Sequence, residues 1–184
     1  MANRSPAERR AWIASLTEAE VIALLASWDF VARPEQMAPV ADDAWRWWAL
    51  ITGRGWGKTR TGAEWVLDRC EQFAKAGARH LVGLVNKTHD EVRSLQIEGE
   101  SGLAAAAARR GHQWHHAGTA LHAQLVIIDP DTGRRHTSHF EVHTSVKPDK
   151  VRGRNFHTVW CDELAAWDHK IDAQGNTTFT NVDM

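Results

Sequence analysis

The stretch Thr52-Gly53-Arg54-Gly55-Trp56-Gly57-Lys58-Thr59 decides the fold, because it stands between an apolar run and a helical pattern. Trp47 to Thr52 reads as a buried strand. Beyond the loop, Ala63, Val66, Leu67, Cys70, Phe73 and Ala74 recur at helical spacing, and Gly77 stops the pattern as a C-cap does. Strand, glycine-rich loop and helix, in that order, is the setting of a phosphate-binding loop. Gly53, Gly55 and Gly57 let backbone N–H groups turn inward around phosphate oxygens, and the helix N-terminus adds partial positive charge. Trp56 falls between the last two of these glycines and belongs to the same nucleotide-binding stretch. Lys58 is then placed to neutralise the β and γ phosphates, and the Thr59 hydroxyl to coordinate Mg²⁺. The strict pattern opens on glycine, where this sequence has Thr52. The plainer alternative is a glycine-rich turn that carries an incidental lysine.

Outward from the loop, strand and helix signals alternate. His80 to Val85 reads as a strand, Thr88 as the cap of a helix running through Ile97, and Gly102 to Arg110 as an alanine-rich helix. Leu121 to Ile128 and His136 to His143 read as a hairpin joined by the turn Asp129 to Gly133, and His157 to Cys161 as a final strand. Upstream, Pro6 to Leu16 and Thr17 to Trp28 are two helices, the second opened by a Thr17/Glu20 capping box, and Arg33 to Asp43 is an irregular connector. This order predicts an α/β fold of the phosphate-loop NTPase kind, with a mostly parallel sheet flanked by helices. The expected division is a helical segment and connector over residues 1–43 and a phosphate-loop ATPase domain over residues 44–184. Past Trp167 the chain turns polar and receives no assignment.

A phosphate loop needs a metal partner. Val159-Trp160-Cys161-Asp162-Glu163 supplies two carboxylates at the carboxyl end of an apolar strand, the pattern of a Walker B site. Asp162 is the expected Mg²⁺ ligand, and Glu163 the residue that orients and polarises the attacking water. Such an Asp-Glu pair can instead open a helix as cap and first-turn acid. With the loop upstream, it favours the class of ATPase with an additional strand and a catalytic glutamate. Arg54, inside the loop, is within reach of a γ phosphate. In Arg152-Gly153-Arg154, a glycine-flanked arginine suits a finger that projects into a neighbouring subunit, although solvated loop charge explains it as well. Gln36 carries an amide able to read an adenine edge through its donor and acceptor.

Composition bounds the remainder. At 184 residues, and roughly 150 per domain, the chain has about one domain. Lys and Arg total 22 against 23 Asp and Glu, so no global positive field draws it to nucleic acid, and contacts to DNA must be local. The pairs Arg109-Arg110 and Arg134-Arg135 are candidates for such contacts. Two cysteines cannot make a disulfide framework, which suits a reducing cytoplasm. No apolar run approaches the ~18 residues of a membrane span, so no membrane partner is expected. The eleven histidines, above all His112, His115, His116, His136, His139 and His143, raise a metal site, against which stands the lack of Cys or acid at ligand spacing.

The motifs together resemble the ATPase part of the large terminase subunit of tailed phages and gene transfer agents. The similar stretches are Arg33-Pro34-Glu35-Gln36, GRGWGKTRTGAEW from Gly53 to Trp65, EGESGL from Glu98 to Leu103, and VRGRNFHTVWCDELAAW from Val151 to Trp167. The resemblance implies MgATP as substrate, with Lys58, Thr59, Asp162 and Glu163 in the roles above. It further implies Gln36 at the adenine, Arg54 as the loop arginine, and Arg152 as the finger between subunits. As partners it implies double-stranded DNA, a homo-oligomeric ring, a portal protein and a small terminase subunit, in the host cytoplasm. Family members continue with a Ser/Thr coupling motif and a ribonuclease-H-like nuclease domain. Neither lies in these 184 residues, so the domain is expected to be incomplete, with an open sheet edge and no nuclease activity. Two other readings remain open: a non-catalytic prophage remnant or binding module, and another ATP-driven translocase or helicase.

Overall fold

A computed structural model describes residues 5–39, 45–116, 121–167 and 170–183. The acids Asp42 and Asp43, and with them the expected boundary after residue 43, lie outside the described residues. Contacts divide the chain into two units, Met1–Met37 and Ala38–Met184. In the first, α1 (Pro6–Ala14) and α2 (Glu18–Ala26) each begin with a capping box. In α2 the Thr17 hydroxyl accepts from Glu20 N at 3.3 Å while Glu20 Oε2 accepts from Thr17 N at 2.8 Å, which satisfies two otherwise orphaned donors. A four-residue helix α3 (Trp28–Val31) and the 3₁₀ turn Pro34–Gln36 complete this unit.

The second unit is built on helix α4 (Lys58–Ala76), which lies across a five-stranded sheet. The strands are β1 (His80–Asn86), β2 (Gln113–His116), β3 (His122–Ile128), β4 (Arg135–Thr144) and β5 (Thr158–Cys161). Their order is β2-β3-β4-β1-β5, with β1 parallel to both β4 and β5 and β3 antiparallel to both β2 and β4. Only β3 therefore runs against the others. Its hairpin with β4 turns where Asp129 Oδ1 accepts from the Asp131 and Thr132 amides, each at 2.9 Å, and Gly133 takes a φ of +66°.

Period-two alternation gives the sheet one apolar face. Val82 and Leu84 of β1, Phe140 and Val142 of β4, and Trp160 of β5 join Val66, Leu67 and Cys70 of α4 in one core. Helix α6 (Leu103–Arg109) adds Leu103, Ala106 and Ala107 to it. Between α4 and α6 run α5 (His89–Glu91), capped by Thr88, and a π-helical turn Val92–Ile97. A short α7 (Thr178–Asp183) forms in the polar stretch past Trp167 that received no assignment. At the amino end of β1, His80 stacks on Phe73 at 4.2 Å and bridges the Ser138 and Thr158 hydroxyls. Burial, reinforced by neighbouring positive charge, pushes this imidazole down to about 3, so it is a neutral link between strands.

The opposite face explains many of the histidines. Register sets His115 beside Gln124 and Gln124 beside His139, all exposed on the sheet surface away from α4. Among the described residues no group of three or more His, Cys, Asp or Glu is placed to hold a metal ion. Both cysteines are free, and burial pushes their thiols up to about 12. Among the described residues no helix is long and apolar enough to cross a membrane.

One expectation fails. Trp47 to Thr52 forms no strand, and Ile51 is 94% exposed. The reason is the ladder: β5 bonds β1 along one edge, and among the described residues no strand bonds its other edge. With no backbone partner, the apolar segment packs through its rings, Trp48 edge-on to Trp65 at 6.2 Å and Trp47 against Phe179 at 4.7 Å.

Candidate functional site

The loop turns into α4 through two left-handed glycines, Gly55 at φ +76° and Gly57 at φ +91°. A side chain at either would strain the backbone. Gly57 is the N-cap of α4 and offers no side-chain acceptor, so the first amides of the helix lack the usual cap. Gly53 and Arg54 are exposed, while Trp56, Lys58 and Thr59 are half-buried. Lys58 Nζ folds back to donate to Thr52 O at 3.1 Å and Gly53 O at 3.3 Å.

The sheet brings the acids to the same end of the molecule. Asp162 N donates to Val85 O at 3.0 Å, which fixes the carboxyl end of β5 against that of β1. Asp162 is 8% exposed. Burial pushes its carboxyl above the ordinary range, and the charge of Glu163 adds to the rise. The Glu163 amide, donating to Asp162 Oδ1 at 3.0 Å, and the charge of Lys58 oppose it. Lys58 and Asp162, far apart in sequence, are thus close enough for one charge to act on the other.

Glu163 is exposed, with φ +50°, the one non-glycine residue in the left-handed region among the described residues. Such a conformation costs about 1–3 kcal/mol and persists only where its surroundings enforce it. Here Trp167 Nε1 donates to Asp162 O at 2.9 Å, and Ala166 N to Glu163 O at 2.8 Å, pinning the backbone on both sides.

Helix and strand are held in register by Gly62. A Cβ there would lie 2.5 Å from the Trp160 ring, so the absence of a side chain sets how closely α4 approaches β5. Gln96 Nε2 steadies the same strand by donating to Trp160 O at 3.2 Å. Gly62→Ala is expected to lose roughly 1–3 kcal/mol through overpacking. Thermal denaturation reads this as a lower midpoint, and an unchanged midpoint would contradict the close packing.

The remaining expected residues have partners of their own. Gln36 is buried in the Met1–Met37 unit, its Oε1 accepting from Arg33 N at 3.0 Å. Arg152 pairs with Asp172 at 3.6 Å and donates to Gln174 Oε1, while Arg154 pairs with Glu141 at 3.3 Å. Both arginines are exposed, so these pairs hold them only weakly. Arg110 is drawn into the α4–α6 junction by Glu64, Asp68 and Glu71. Sequence reasoning missed Gly62 and Asn86, the residue that ends β1. A small residue one helical turn beyond Lys58 was the signal for the first, and a polar residue closing an apolar strand for the second.

A glycine-rich turn into a helix, a lysine at its start, and an Asp-Glu pair at the end of a neighbouring parallel strand define an α/β domain of the phosphate-loop NTPase class. Residues 49–180 match the family described as terminase large subunit, T4likevirus-type, N-terminal, and the chain belongs to that family. Among solved structures it is similar to the large terminase ATPase domain of a Thermus phage, at 20% identity and a TM-score of 0.43, covering 61% of this chain and 46% of that one. A single-substitution mutant of that domain matches at 17% identity and a TM-score of 0.47, covering 71% of this chain and 52% of the other. The chain thus spans about half the length of those structures. No curated protein matches it.

Proposed function

We propose that this chain binds and hydrolyses MgATP as the amino-terminal motor part of a terminase large subunit, driving double-stranded DNA into a procapsid. What supports the reading above all is the close approach of Gly62, one helical turn past Lys58, to Trp160, two residues before Asp162, because a triphosphate needs the loop lysine and the acids at one place. Thr59 and Asp162 offer hard oxygen donors, a set that suits Mg²⁺, which usually takes one or two protein ligands beside substrate phosphates. When bound, that ion supplies neutralisation of the phosphate charge.

The backbone of Gly53 to Gly57, with Trp56 among them, and the uncapped start of α4 would cradle the phosphates. Lys58 would exchange its two carbonyl acceptors for phosphate oxygens. Glu163 would orient water for in-line attack on the γ phosphorus; the bond from that phosphorus to the ADP oxygen breaks, and a proton leaves with the products ADP and phosphate. Arg54 would meet the γ phosphate from within the loop, and Gln36 the adenine. Arg152 would leave Asp172 and Gln174 to act in a neighbouring subunit of a ring. A portal protein, a small terminase subunit and the host cytoplasm complete the proposed setting.

The test is DNA-stimulated ATP turnover. Glu163→Gln is expected to reduce it roughly 10²–10⁴-fold while MgATP binding is retained. Binding without turnover in the unaltered chain would instead favour a non-catalytic binding module, and absence of MgATP binding would remove the ATPase reading.

A further inference from the structure

Asn86 closes β1, the strand that lies between β4 and β5. It is 1% exposed. Its Oδ1 accepts from Lys87 N at 2.7 Å, which fixes the orientation of the amide, and its Nδ2 has no hydrogen-bond partner. The Thr144 hydroxyl, opposite it on β4, and the neighbouring Ser145 hydroxyl also lack partners although buried. Buried donors are rarely left unsatisfied, and a cluster of them marks a place meant for acceptors.

The fold puts this cluster level with the phosphate loop. Leu84 and Trp160 are paired across β1 and β5 and face α4 near Gly62. Two residues further along β1, alternation returns Asn86 to the same face, about 6.6 Å beyond that pair at about 3.3 Å per residue, and Asp162, just past the end of β5, is held level with it by its amide bond to Val85 O. Four residues back along α4 from Gly62, at about 1.5 Å per residue, stands Lys58, about 6 Å in the same direction. Asn86 and Lys58 therefore reach one level from the sheet and from the helix.

We infer that Asn86 Nδ2 donates to the terminal phosphate of a bound nucleoside triphosphate and so distinguishes triphosphate from diphosphate. The inference rests on the nucleotide-binding reading above. A neutral amide adds no charge of its own, so overall attraction of phosphate stays with Lys58 and the helix terminus. What the amide adds is a contact present only when an oxygen occupies its position, on the sheet side of the pocket beside Asp162.

The experiment compares binding of the imido analogue of ATP and of ADP, each with Mg²⁺, by calorimetry on the full chain. Asn86→Ala is expected to weaken triphosphate binding roughly tenfold or more, as loss of a hydrogen bond to a charged group implies, and to leave ADP binding within about twofold. Asn86→Ser, which keeps a donor, should fall between, and circular dichroism confirms that both variants fold. Equal loss of both ligands, or no loss of either, overturns the inference. Lys58→Ala should weaken both ligands. If it weakens neither, or the unaltered chain binds neither, the nucleotide-binding reading fails and takes this inference with it.

Discussion

Replacing Glu64 by alanine is expected to lower stability by about 3–5 kcal/mol, the range for removing one partner of a buried ionic cluster. At about 2–4 °C per kcal/mol for a chain of this size, the melting midpoint should fall roughly 6–20 °C. Glu64 sits on the second turn of α4 with its side chain only 2% exposed, and three guanidinium groups converge on it. Arg60 Nε lies 2.5 Å from Oε1, Arg110 Nη2 2.7 Å from Oε2, and Arg109 Nη2 3.6 Å from Oε1. Arg110 has further acids in Asp68 and Glu71, each within 3.0 Å. For Arg109 the one acid paired with it among the described residues is Glu64, and its guanidinium is pushed down by burial and by the charge of Arg60. Without Glu64, Arg60 and Arg109 would repel one another across a half-buried junction, and the tie between α6 and the helix that carries Lys58 would rest on the Arg110 pairs with Asp68 and Glu71 and on apolar packing. A double variant, Glu64→Gln with Arg109→Met, should recover part of the loss, because the removed charge was the one left without compensation. A Glu64→Ala chain that melts within about 2 °C of the parent would show that the arginines are solvated well enough to need no counter-charge.

This junction also marks what a sequence withholds. The loop from Gly53 to Lys58, the Asp162-Glu163 pair and the Asp129 turn are local patterns, each written in a few adjacent residues whose chemistry is nearly independent of the rest. The Thr17 and Thr88 caps were legible for the same reason. Glu64 was visible as one acid on a helix, but nothing local says that Arg109 and Arg110 at the end of another helix will seek it. Strand β2 escaped because only Trp114 and His116 face inward in its four residues, too short an alternation to stand out beside the histidines. The run from Trp47 to Thr52 failed differently. Apolar composition reports a wish for burial, but a strand also needs a neighbour to bond, and that depends on the order of the whole sheet. Gly62 is the same lesson at the site: its meaning is set by Trp160, which sequence cannot place beside it.

Asp162→Asn is expected to raise the stability of the ligand-free protein while weakening its response to MgATP, two effects of opposite sign from one change. The carboxyl is buried, and burial holds its folded-state pKa above the ordinary value near 3.9. Between those two pKa values the native state binds more protons than the unfolded chain, so stability falls as pH rises through that window. Above it, Asp162 is a charged group that destabilises the ligand-free fold, offset in part by Lys58 and the Glu163 amide. An asparagine of the same shape carries no such charge. At neutral pH the variant should therefore melt higher than the parent, and the gap should close as pH falls below roughly 4. With Mg²⁺ and the imido analogue of ATP the order should reverse, because the proposed metal ligand is gone and binding weakens at least roughly tenfold. At ligand concentrations about 100-fold above the parent's dissociation constant, the parent gains about 2.7 kcal/mol, and a variant that binds about tenfold more weakly gains about 1.4 kcal/mol. Thermal melts of both proteins, with and without ligand at pH 4 and pH 7.5, measure all four values. A variant that melts lower than the parent without ligand at pH 7.5 would mean that Lys58 already over-compensates the buried charge. A variant that binds as well as the parent would remove Asp162 from the metal site.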